Sequence, residues 1–268
     1  IARRDPEALT LITKLIYAPL AKAYGTTPEN IEKPIRKAVL HGMKRTKLND
    51  RTLPDYTKGE EIFNMVSHIV GGAVGICALV LCVVFAALHR NVWGVVSCSI
   101  YGAAMVILYT MSSIYHGLSP RLKAKKVFQV IDHCSIFLLI AGTYTPIALC
   151  SLRSQKAWVG WTVFGVIWGL AALGITLNSI DLAMFKRFSM ICYLGMGWMI
   201  VLCAKLTYLA IGVWGCVFLI GGGVFYTVGS VLYLLGKKSR RRYIHSVFHL
   251  FVVFGSIMHM FMILFFIV

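Results

Sequence analysis

Acidic residues almost vanish from this sequence after Glu61. Ten occur in 268 residues, eight of them at or before that position, and only Asp132 and Asp181 follow. Charged residues of both signs make up 14% of the chain, against roughly a quarter in an ordinary soluble domain. That deficit argues against a large soluble core. What remains is long apolar runs joined by short, mostly basic connections, the pattern of a polytopic membrane protein. Cys-x-x-Cys pairs are also missing. The eight cysteines (Cys77, Cys82, Cys98, Cys134, Cys150, Cys192, Cys203 and Cys216) are scattered through the apolar runs and read as buried, reduced thiols. No signal peptide is legible, and residue 1 is Ile rather than Met, which suggests a fragment, a processed form or an unusual gene product.

The net charge of +17 would suit a nucleic-acid partner, but the basic residues lie between the hydrophobic spans, where they set topology. Nucleic acid is therefore not an expected partner; membrane lipid is. A helix needs roughly 20 apolar residues to cross the hydrocarbon. On that measure the spans fall near 62–88, 92–116, 128–150, 157–177, 188–209, 211–235 and 243–268, with the weakest division near Ala210. The expected fold is an all-α bundle of seven transmembrane helices with a short helical N-terminal extension. Its units are residues 1–42, a polar lead over 43–60, and the membrane domain over 61–268. Glycines such as Gly71, Gly72 and Gly75 suit close helix packing in lipid.

Basic residues divide unevenly between the two sets of connections. Arg121, Lys123, Lys125, Lys126, Lys186, Arg187, Lys237, Lys238, Arg240, Arg241 and Arg242 fall on one side; Arg90, Arg153 and Lys156 fall on the other. The richer side is cytoplasmic by the positive-inside rule. The N-terminus is then cytoplasmic and the C-terminus outside, with Lys205 snorkelling outward.

This orientation gathers four polar residues at one membrane depth. His116 ends the second span, Asp132 begins the third, and His245 and His249 begin the seventh. His245 and His249 are four residues apart, on one helical face, and can take two corners of a metal site. A carboxylate inside a span needs a partner or a function, and a metal supplies one. Three histidines leave one position of a tetrahedral zinc for water, and Asp132 is either the fourth ligand or the holder of that water. Ser112, one turn before His116, either donates to the water, a substrate carbonyl or a ligand, or bonds to its own helix backbone. The competing structural account is a polar network that clamps helices without metal. His68 reads as a neighbour of the site, His133 as pointing elsewhere, His259 as too far along its helix, and His41 and His89 as loop residues.

The stretches Ser-Ser-Ile-Tyr-His-Gly (112–117), Asp132 ahead of Phe-Leu-Leu-Ile-Ala-Gly-Thr-Tyr-Thr-Pro (137–146), and His-Ser-Val-Phe-His (245–249) resemble the haemolysin III family. That family belongs with the progestin and adipoQ receptors and, more distantly, the alkaline ceramidases. Lys-Gly-Glu-Glu-Ile-Phe-Asn-Met-Val-Ser-His (58–68) looks like its bacterial branch, and the likeness covers about residues 43–268. The resemblance implies a seven-helix bundle in the cell membrane holding zinc on His116, His245 and His249, with Asp132 and Ser112 around its water. The ceramidase kinship implies hydrolysis of a lipid amide or ester. The family name implies membrane damage or pore formation, and the receptor kinship a lipid sensor with structural zinc. A pore-former that inserts from solution must hide its apolar surface, and this chain has no evident means to do so.

Residues 9–40 differ in character. Apolar positions at helical spacing lead to Gly25 and then to Thr26-Thr27-Pro28-Glu29. Either Thr26 and Glu29 form a capping box, or Thr27 caps a helix with Pro28 at its first position. Ala21, Gly25 and Ile31 have helix-turn-helix spacing, and the stretch is similar to part of the DNA-binding effector domain of the sporulation response regulator. Pro34 would kink the recognition helix, so the expectation is a remnant or fusion fragment, with Met43 as a natural start for the membrane protein.

Overall fold

A computed structural model describes residues 18–23, 25–30, 33, 53–239 and 242–268. The chain divides into two units, Ile1–Arg51 and Thr52–Val268. In the first, helix α1 (Ala18–Ala23) is followed by Gly25, whose φ of 61° suits the left-handed turn that closes a helix. The Thr26 amide donates to the Ala21 carbonyl at 2.9 Å. Of the two capping arrangements, the structure takes the second: the Asn30 amide donates to Thr27 Oγ1 and helix begins at residue 28. Ile31 and Pro34 lie outside the described residues.

The described part of the second unit is entirely helical apart from its turns. It contains α2 (Lys58–Leu88), α3 (Val92–Gly117), α4 (Lys123–Pro146), α5 (Ala157–Trp198), α6 (Ala204–Ser239) and α7 (Ile244–Phe266). Among the described residues, five helical stretches are long and apolar enough to cross a membrane: Lys58–Leu88, Val92–Gly117, Lys123–Gln155, Ala157–Gly236 and Ile244–Phe266. The protein is therefore a membrane protein in architecture. Its exposed surface agrees, with large apolar side chains such as Ile69, Leu88, Trp158 and Leu202 turned outward.

The 80-residue stretch Ala157–Gly236 is not one rod. At 1.5 Å per residue it would extend about 120 Å, some four times the hydrocarbon thickness. The helix breaks at Asp181 (φ −154°, ψ 98°), where Asp181 Oδ1 accepts from the amides of Ala183 and Met184 and so caps a new helix. It tightens to a 3₁₀ segment over Met199–Cys203, and Gly212 then takes φ 68°, a conformation that glycine adopts freely. Pro146 has a simpler effect. Lacking an amide hydrogen, it cannot complete the α pattern, and Ile147–Leu152 continue as a π segment.

The helices pack α2 on α3, α3 on α4 and α4 on α5, while α7 packs on both α6 and α2 and closes the circuit. Small residues permit this: a Cβ on Gly102 of α3 would collide with the backbone of Leu79 on α2. Tyr109 crosses from α3 to α7, donating to Ser256 Oγ at 2.7 Å. The outcome for the site is that α2, α3, α4 and α7 share one interior.

Candidate functional site: a buried histidine cluster

The site is assembled where α2 and α7 begin and α3 ends. Thr57 caps α2 in a capping box with Glu60, each side chain meeting the other's backbone amide. Glu60 also reaches α7: its Oε1 accepts from the Tyr243 amide at 2.7 Å. Tyr243 has φ 60°, an unfavourable conformation for a bulky residue. The turn held this way fixes the start of α7 two residues ahead of His245. Asn64 and Ser246 join the same two helices through a buried hydrogen bond of 2.7 Å.

His116, His245 and His249 each present a ring nitrogen to a common point, all within 4.8 Å of one another, and could together hold a metal ion. His245 Nε2 and His249 Nε2 face each other at 3.1 Å. His116 is anchored on its other side: Nδ1 lies 2.6 Å from Glu61 Oε2, so the carboxylate accepts the Nδ1 hydrogen and leaves Nε2 as a lone pair. That Nε2 is buried and has no hydrogen-bond partner. A histidine tied back to a carboxylate with its free nitrogen aimed at other histidines is an arrangement common among metal ligands. His245 shows no such partner on Nδ1, whereas His249 meets the backbone of Asn64.

Glu61 is in turn gripped by Lys125, whose Nζ donates to Glu61 Oε1 at 2.7 Å and to the Leu118 carbonyl at 2.8 Å. Lys125, counted above among the loop cations, is 1% exposed. A buried ammonium of this kind persists only with its partners in place. Tyr56, just before α2, stacks on His245 with ring centroids 5.0 Å apart. Burial pushes the Tyr56 phenol up, so it stays neutral. His68 stacks on His249 at 3.7 Å, and neither of its ring nitrogens has a partner.

Beside the histidines lies a cavity of about 200 Å³, lined by His68, Ser112, Asp132, His133, His245 and His249 at one end and by Tyr226 and His259 at the other. Apolar side chains such as Leu139, Ile140 and Val252 line the length between them. Asp132 is outside the tight histidine group but faces the same space. Ser112 resolves one open alternative. Ser99 and Ser113 bond to carbonyls four residues back, whereas the buried Ser112 hydroxyl makes no such bond to its own helix and lies beside the Asp132 carboxylate.

One histidine reading needs correction, and a second gains a detail. His133 does not point away: its Nδ1 lies 3.4 Å from Asp132 Oδ2 and 2.8 Å from the Gln129 carbonyl, so the ring folds back along its own helix. His259 is far from the cluster along α7 yet borders the same cavity. Glu61 was not singled out from the sequence. Its signal was its place one turn before Asn64 and two before His68, all on one helical face.

Together these features define a polytopic membrane protein with a metal-competent histidine site buried between its helices and open to an apolar interior. The chain belongs to the haemolysin-III related family, whose profile matches residues 56–260. It is 37% identical over 208 residues to Hemolysin-3 of Bacillus cereus, covering 78% of this chain and 92% of that protein. Against the Hemolysin-3 homolog of Bacillus subtilis (strain 168) it is 36% identical over 211 residues, covering 79% and 96%. Residues 1–60 match a second profile, the sporulation initiation factor Spo0A C terminal, in agreement with the effector-domain likeness of residues 9–40.

Proposed function

We propose that this protein is a zinc-dependent hydrolase of a lipid amide or ester, resident in the cell membrane with the histidine site at its cytoplasmic side. The observation that carries the reading is the pairing of three convergent buried histidines with an apolar cavity that carries Asp132 and Ser112 at the same end. His116, His245 and His249 would hold the metal; bound there, zinc supplies a Lewis acid that lowers the pKa of water. The protein's own groups have separate tasks. Glu61 fixes the tautomer and orientation of His116, and Lys125 fixes Glu61. Asp132 accepts a proton at its carboxylate, with His133 alongside to hold it. Ser112, whose hydroxyl lies beside Asp132, turns its hydrogen to the substrate carbonyl. The apolar wall receives the acyl chain and excludes water from the reacting end.

The same reading divides Ala157–Gly236 into three passes, separated at Asp181 and at 199–212, which brings the spans to seven with the N-terminus cytoplasmic and the C-terminus outside. Three passes suit the 80-residue length.

The test is the metal content of detergent-purified protein beside a His245→Ala/His249→Ala variant, followed by a screen of lipid amides and esters. About one zinc per chain in the first and none in the second, with metal-dependent cleavage, is expected. Zinc with lipid binding but no turnover would make the protein a sensor. No zinc in either would reduce the cluster to a helix clamp.

A further inference from the structure

Buried side-chain atoms without hydrogen-bond partners are not spread at random through this protein. Among the described residues they include Asn64, His68, His116 and His245, all around the metal-competent cluster, and His259, which stands apart. His259 is ten residues beyond His249 on α7, about 15 Å along the helix. It is 7% exposed. Its Nε2 lies 3.1 Å from the Leu219 carbonyl of α6. A carbonyl only accepts, so Nε2 carries the ring hydrogen and Nδ1 is a bare lone pair.

The neighbouring hydroxyls do not satisfy that lone pair. Tyr109 and Tyr226 both meet Ser256 Oγ, at 2.7 and 2.8 Å, and so turn toward each other's partner. The ring is also held in place. A Cβ on Gly222 would collide with the imidazole, so only glycine lets α6 come close enough for the Leu219 bond. His259 and Tyr226 border the far end of the cavity whose near end carries Asp132, His245 and His249.

We propose that His259 is a second recognition point: its Nδ1 accepts a hydrogen bond from a hydroxyl that the bound lipid carries about 15 Å from its polar head. The preferred ligand is thus a hydroxylated amphiphile rather than a plain acyl chain. This rests on the reading of the cavity as a lipid site but not on turnover, because it is tested by binding alone.

The experiment compares dodecanoate, ω-hydroxydodecanoate and ω-methoxydodecanoate as competitors of a fluorescent fatty acid, on the wild-type protein in nanodiscs and on His259→Leu. The three share a head and chain, and only the hydroxy compound can donate at the far end. One net hydrogen bond is worth about fivefold in affinity. The hydroxy compound should bind the wild type about fivefold more tightly than the other two, and His259→Leu should abolish that preference. Equal affinities on the wild type overturn the proposal, as does a preference that survives in His259→Leu. Should that variant fail to fold, the wild-type series decides by itself. Binding of all three with equal strength leaves the hydrolase reading standing, whereas binding of none overturns both.

Discussion

Glu61→Gln separates two consequences of one carboxylate. The substitution keeps the volume and an acceptor oxygen but removes the charge. In the wild type, Oε2 accepts from His116 Nδ1 at 2.6 Å and Oε1 from Lys125 Nζ at 2.7 Å. The first contact orients His116, and on the proposed reading it strengthens that histidine as a metal donor. Losing such an outer carboxylate lowers metal affinity about 10- to 100-fold, or about 1.4–2.7 kcal/mol. The second contact compensates a buried ammonium. Lys125 would lose its carboxylate and keep neutral partners, the Leu118 carbonyl and the Tyr115 ring among them, and breaking a buried ion pair from one side costs about 3–5 kcal/mol. Adding Lys125→Met removes the stranded charge, so the double variant should regain most of its stability while its zinc affinity stays low. Chelator competition measures the first quantity and thermal unfolding in detergent the second. Wild-type zinc affinity in Glu61→Gln, or affinity fully regained in the double variant, would refute the reasoning.

Three further outcomes follow from the packing. Gly102→Ala should cost about 1–3 kcal/mol by forcing α2 and α3 apart at Leu79; thermal unfolding of the purified variant reads this, with zinc stoichiometry unchanged. Ser246→Ala removes the buried bond to Asn64 Oδ1 and should destabilise the joint between α2 and α7 by about 1–3 kcal/mol; an unchanged unfolding temperature would count against that joint. Asp181→Ala deletes the acceptor for the Ala183 and Met184 amides, costing about 1 kcal/mol, and hydrogen exchange at those two amides should accelerate.

Much of this architecture was legible because lipid imposes a coarse rule. Apolar runs of sufficient length had to become helices, and the described residues hold five helical stretches long and apolar enough to span, where seven separate runs were anticipated. The histidine site was legible for a related reason: orientation assigned His116, His245 and His249 to one depth before any contact was known. What escaped the sequence depended on side-chain direction or on local backbone. Lys125 sits among loop cations in sequence, but its long stem turns inward to Glu61. His133 was assigned by helical angle alone, which ignores a ring that folds back to the Gln129 carbonyl. The break at Asp181 occurs inside a continuous helical stretch and comes from one carboxylate capping two amides; the sequence reading had placed a connection there on its basic residues instead. The N-terminal cap was narrowed to two options by composition and decided by a single hydrogen bond to Thr27.

The joint between α2 and α7, through Glu60 to Tyr243 and Asn64 to Ser246, links the first long helix of the second unit to the last. For a ribosome this sets an order of events. Glu61, His116 and Lys125 are synthesised well before His245 and His249, so this hydrogen-bonded trio must hold itself together while translation continues. A nascent chain interrupted ahead of α7 lacks two of the three clustered histidines and both clasps. On the metal-binding reading proposed above, loading of an ion is confined to polypeptides whose translation has run through α7, which makes the site a record of completed synthesis.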